Sequence, residues 1–140
     1  MKSQDINKNA FLLVFDRGDE IAVTLTSFAR DNGISGASFT AIGACRHATI
    51  AYWNPATKEY EKIEVAEQVE VVSLTGNIAL GEDGQQRVHA HVALGKRDGT
   101  LIGGHFLSGV VYPTLELFLI TTSVALQRKR DDETGLPLIA

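Results

Sequence analysis

Apolar and polar positions alternate along most of this chain, and the period of that alternation predicts its elements. Phe11 to Phe15 (FLLVF) is an apolar run between polar flanks, the pattern of a strand buried on both faces. Met1 to Ala10, ahead of it, is polar and reads as a lead-in. Asp16-Arg17-Gly18 turns the chain, with Asp19 the expected N-cap and Glu20 suited to the positive end of a helix. Ile21, Leu25, Phe28 and Ala29 then fall at i, i+4, i+7 and i+8, one face of a helix that Asn32-Gly33 stops.

After Gly36 the period drops to two. Strands are predicted over Ala37–Ile42, broken by Gly43, and over Cys45–Trp53, where Cys45 and His47 share a face. Tyr60–Val65 returns as a hairpin partner, and Val69–Leu80 is a long strand with a bulge expected at Gly76. Gly81 to Gly84 turns into a histidine-bearing hairpin, and Val110–Tyr112 and Leu115–Thr122 complete the set. Pro113 between them marks an edge, a kink or a break. In the tail, Arg128-Lys129-Arg130 is cancelled by Asp131-Asp132-Glu133 and reads as a solvated face, followed by apolar Leu136, Leu138 and Ile139. The fold class is therefore α+β: one main helix on a mainly antiparallel sheet of about seven or eight strands, a single domain over 11–140 after the 1–10 lead-in. One helix cannot easily cover both faces of such a sheet, so subunits are expected to associate.

Composition narrows the function classes. The 140 residues are 44% apolar, enough for an ordinary core, and carry a net charge of −4. That balance does not suit a surface built to neutralise phosphates. The single cysteine, Cys45, excludes an internal disulfide and suits a reducing, cytoplasmic setting. No uncharged apolar run is long enough for a bilayer-spanning helix, so no membrane partner is expected.

The candidate chemistry lies in Arg87 to Gly109, which holds three of the four histidines. His89 and His91 sit two apart and share a strand face. His105 follows the Gly95-Lys96-Arg97-Asp98-Gly99 turn and a Gly-Gly pair. If Leu94 pairs with Thr100, the paired numbers sum to an even value and His89 lies opposite His105. All three rings then project from one face, and a one-residue slip would send His105 to the other. Three imidazoles on one face can hold zinc or another divalent transition metal and leave a coordination position open. The plainer alternative is three core or interface histidines bonded to backbone.

Other groups carry less. Cys45 and His47 on one strand run parallel rather than converging, so a nucleophilic pair is not expected. Glu116, within the apolar LELFLI, could steady a metal-bound imidazole or act as a general base; the alternative is an outward charge on an edge strand.

Four segments resemble the plant and prokaryote conserved (PPC) domain: the opening strand with Gly18-Asp19-Glu20 and the helix; Ile42-Gly43-Ala44 with Ala48 to Tyr52; Glu70 to Ile78; and His89 to Leu94 leading to Gly103-Gly104-His105. The likeness spans about Phe11 to Ile139. It implies an α+β domain that assembles as a homotrimer, with histidines that bind metal in some members. In plants this domain is joined to AT-hooks in nuclear DNA-associated proteins. Here Glu67-Gln68-Val69-Glu70-Val71-Val72 replaces the plant Gly-Arg-Phe-Glu-Ile-Leu partner segment, and there is no Arg-Gly-Arg-Pro hook. The expected function is a trimeric metal- or small-ligand-binding module, with a DNA-associated regulator and a metal-dependent enzyme using Glu116 as base for an activated water as the alternatives.

Overall fold

A computed structural model describes all 140 residues, Met1–Ala140. The elements follow as β1 (Lys2–Asn7), β2 (Ala10–Phe15), α1 (Ile21–Asp31), β3 (Gly36–Asn54), β4 (Glu59–Val65), β5 (Val69–Leu80), β6 (Gln86–Gly95), β7 (Leu101–Thr121), β8 (Arg128–Arg130) and β9 (Pro137–Ile139). Seven strands form one antiparallel sheet in the order β1-β2-β7-β6-β5-β3-β4, and β8 and β9 form a small separate hairpin. The fold is α+β with one helix, as the pattern predicts. β3 also pairs with β7, so β3, β5, β6 and β7 close into a ring. Closure is possible because β3 and β7 are long, at 19 and 21 residues, and each serves different neighbours along its two halves.

The core fills that ring and the space beneath the helix. Ile21, Leu25, Phe28 and Ala29 are the buried residues of α1, the face that the spacing predicts. They join Leu13 and Phe15 of β2, Leu74 and Ile78 of β5, and Leu115, Leu117 and Leu119 of β7 in one cluster. Each fully buried leucine or isoleucine is worth about 1.5–3 kcal/mol.

Several local expectations are corrected. The polar segment read as a lead-in carries β1, an edge strand exposed at every position, which pairs with β2 from Lys2↔Val14 to Asn7↔Ala10. An edge strand that meets water on both faces needs no alternation, so periodicity could not reveal it. The helix N-cap is Glu20, whose carboxylate accepts from the Val23 N–H at 2.7 Å, and Asp19 instead accepts from the Asp16 N–H at 2.9 Å. β3 does not break at Gly43 but runs through it, with register shifts on both sides. β7 likewise runs through Pro113, whose peptide bond with Tyr112 is cis. Gly76 is not a bulge: it pairs regularly with Phe39 and Ala90. It is glycine because a Cβ there would run into the His89 carbonyl and lie 2.7 Å from Phe39 Cζ and 2.8 Å from Ala90 Cβ.

One bulge changes a site. The register of β3 on β7 shifts between Cys45 and His47, so the two no longer share a face. Cys45 is fully buried and His47 is exposed. Burial, with the charge of Glu20 nearby, pushes the Cys45 thiol up to about 12, far from the thiolate that nucleophilic chemistry needs.

Candidate metal centre

The site begins with a turn. Lys96 N–H donates to the Thr100 carbonyl at 2.8 Å, leaving Arg97-Asp98-Gly99 as the loop, with Gly99 at φ +84°. A three-residue hairpin of this kind needs a left-handed residue at that position, which glycine adopts freely. Asp98 closes the turn by accepting from the Thr100 N–H at 3.0 Å and its hydroxyl at 2.6 Å. The closing pair fixes the register as Gly95↔Leu101 up to His91↔His105. The pairing sum is even, so the parity argument holds, but it is two larger than expected. His91, not His89, stands opposite His105.

All three histidines lie on the outer face of the ring, because Ala90, Val92 and Leu94 of β6 and Phe106 of β7 take the inner one. Their ring centroids are 5.3 Å (His89–His91), 5.0 Å (His89–His105) and 5.7 Å (His91–His105) apart. One ring nitrogen from each lies within 4.8 Å of the others. Around a tetrahedral ion at 2.0–2.1 Å the nitrogens would be roughly 3.3 Å apart, a difference that small side-chain rotations close.

The donor set fits such an ion for a second reason. His105 Nδ1 is buried and has no hydrogen-bond partner. An orphaned polar atom of that kind costs about 1–3 kcal/mol, which a coordinated cation would offset. The plainer alternative, histidines satisfied by backbone, does not describe His105. Burial and the two neighbouring imidazoles push its pKa down to about 4. Burial, then the positive charges of Arg128 and His91, lower His89 as well. Both are therefore neutral near pH 7, the state in which imidazole binds metal. Opposite β6 on β5, Thr75 pairs with His91 and Asn77 with His89.

Two residues at the site carried no signal in the sequence. Tyr60 of β4 stacks on His105, ring centroids 4.5 Å apart at 29°. Arg128, read as part of a solvated charge run, is only 5% exposed. Its guanidinium donates to Asn77 Oδ1 at 2.5 Å and to the Pro137 carbonyl at 3.0 Å. The tail folds back because Leu80 N–H donates to the Leu126 carbonyl and the Gln127 amide reaches the Gly81 carbonyl at 2.8 Å. The result is a cavity of about 570 Å³ beside His89 and His105, with Tyr60, Arg87, Arg128 and Arg130 also in its wall.

Glu116 lies elsewhere. It is exposed, eleven residues further along β7 than His105, between Val14 and Ile42, and it lines a different groove. The role of base for a histidine-bound water is not available to it within one chain. The cause is position along β7, not face: Leu115, Leu117 and Leu119 point inward and leave Glu116 outward like His105, but the half of β7 that carries Glu116 pairs with β2 and β3, whereas His105 pairs with β6.

Comparison with known proteins places this geometry in a family. A family model described as the Plants and Prokaryotes Conserved (PCC) domain matches residues 2–123. A metal-containing protein of Archaeoglobus fulgidus is 37% identical, with a TM-score of 0.88 over 100% of this chain and 99% of that one. A plant- and prokaryote-conserved protein of Pyrococcus horikoshii is 31% identical, with a TM-score of 0.88 over 99% and 93%. A Bacteroides thetaiotaomicron protein provisionally described as DNA-binding is 29% identical, with a TM-score of 0.94 over 99% and 96%. No protein of curated function matches.

Proposed function

The chain belongs to the Plants and Prokaryotes Conserved domain family, and from that premise we propose that it is a homotrimeric metal-binding module. In this reading His89, His91 and His105 hold one divalent transition metal, zinc or a similar ion, through neutral nitrogens. Three protein ligands leave at least one coordination position for a small molecule. The observation that carries the reading is the convergence of one imidazole nitrogen from each histidine within 4.8 Å; the buried, unpartnered Nδ1 of His105 supports it. The metal-containing relative from Archaeoglobus fulgidus supports it.

The trimer is supported by a different surface. Ile42, Phe118 and Ile120 are 60%, 49% and 58% exposed on adjacent strands of one outer face. Apolar side chains grouped on a sheet face mark an association surface. The DNA-binding description of the Bacteroides relative finds less support in this chain, whose charge is −4 and which has no Arg-Gly-Arg-Pro hook. A buried, protonated Cys45 is consistent with a cytoplasmic setting. No helix is long and apolar enough to cross a membrane.

Metal analysis of protein purified without an affinity tag tests the site. Near-stoichiometric divalent metal is expected. His91→Ala should lower metal affinity by at least the roughly 10–100-fold that losing an outer partner of a ligand costs, with the fold intact. His47→Ala should change nothing, since His47 is exposed on β3. Full metal in the His91 variant would refute the reading.

A further inference from the structure

Arg128 is the sole polar or charged residue among the buried set, at 5% exposure, and it lines the cavity beside His89 and His105. Both groups it bonds, Asn77 Oδ1 and the Pro137 carbonyl, are neutral. A guanidinium has five N–H donors, so several remain for another partner. A buried cation without a counter-charge is expensive, and proteins seldom keep one without a partner. The other charges of the cavity do not supply that partner. Asp83 is taken by Arg87 at 2.6 Å, and Glu82 accepts from the backbone N–H of Arg130 at 3.1 Å. The Arg130 side chain adds a further positive charge to the wall.

We propose that this cavity binds a small organic carboxylate, held between the Arg128 guanidinium and the open position of the metal on His89, His91 and His105. The inference rests on the metal reading above and names the ligand class of that site. A carboxylate has the fork geometry that matches guanidinium, and its single charge answers the single buried cation. Each carboxylate oxygen keeps a lone pair beyond its bond to the guanidinium, and one of these can complete the metal's coordination. The rest of the wall fits an organic body: Val88, Leu136 and Pro137 are apolar, and Tyr60 presents its ring. A volume of about 570 Å³ is within the range of small-molecule sites. The β8–β9 hairpin thereby has a role beyond covering the sheet, since it delivers Arg128 to the ligand.

The test uses the full chain loaded with Co(II), whose visible spectrum reports directly on its ligands. Benzoate, a single carboxylate on an apolar ring, should perturb that spectrum saturably, and inorganic phosphate should bind more weakly. Arg128→Gln should retain stoichiometric cobalt and lose at least tenfold in benzoate affinity; Arg128→Lys should fall between. A guanidinium that merely straps the tail to Asn77 would give variants with lowered thermal stability and unchanged benzoate affinity, and that result overturns the proposal. Tighter binding of phosphate than of benzoate, or cobalt-loaded protein that ignores both, overturns it too and leaves the metal reading standing. A chain that takes up no cobalt defeats both. Should Arg128→Gln fail to fold, the lysine variant decides: benzoate must raise its unfolding temperature less than that of the unaltered protein.

Discussion

His91 and His105 stand directly opposite each other across β6 and β7, rings 5.7 Å apart and nearly perpendicular at 80°. His89 reaches the same point from two residues away on β6, 5.0 Å from His105. The three rings are thus brought together only by the hairpin register, and the proton equilibria of His89 and His105 differ from those of the unfolded chain.

Acid should act on the site later than free histidine chemistry suggests. An unperturbed imidazole takes a proton near pH 6.5. Burial and its neighbours hold His105 neutral down to about pH 4, and His89 is lowered in the same direction. Metal content measured after dialysis across pH should therefore persist below 6.5 and fall as the pH approaches 4. The metal-free protein should also lose stability over that window. Between 6.5 and about 4 the unfolded chain binds a proton at His105 that the folded chain does not, so falling pH favours unfolding. Denaturant titrations of the metal-free protein should show that slope, and His105→Phe should flatten it.

Gly76→Ala should destabilise the fold and disturb the site together. The new methyl would meet the His89 carbonyl, Phe39 and Ala90 in a packed ladder, and overpacking of this kind costs about 1–3 kcal/mol. Because the His89 backbone must give way, metal affinity should fall with thermal stability. A variant as stable as the parent would show that β5 and β6 separate more easily than their packing implies.

Light scattering of the unaltered protein should give three times its 15.1 kDa chain mass. Phe118→Glu and Ile120→Lys place charges on the exposed face of β7 without touching the inward Leu117 or Leu119. Each should shift the mass toward that of one chain while leaving circular dichroism unchanged. A monomer before substitution would remove the assembly from the proposed function.

Duplex DNA should not bind at nanomolar concentration in physiological salt. The net charge of −4 leaves little to release from phosphate counterions. Gel shifts across a salt series measure this, and tight binding with a steep salt slope would favour the regulatory alternative.

The amino-acid sequence by itself determined the elements that rest on periodicity. The α1 face of Ile21, Leu25, Phe28 and Ala29 is where the 3.6-residue spacing places it, and the β6 and β7 strands carry their histidines outward because side chains alternate. The parity that aligns His105 with His89 and His91 stood in the sequence only as a condition on the turn, which a one-residue slip would reverse. Tertiary structure decided what periodicity cannot carry. The closing pair of the Lys96–Thr100 turn chose His91 as the partner of His105. A bulge turned His47 away from Cys45, and a bulge leaves no mark on residue type. Arg128 looks the same in sequence as its solvated neighbours Lys129 and Arg130; its burial follows from a tail that bonds to Leu80, Gly81 and Asn77, some fifty residues earlier in the chain. Long-range contacts of that kind depend on which strands become neighbours, and the closing of β3 on β7 sets that order only when the whole chain folds.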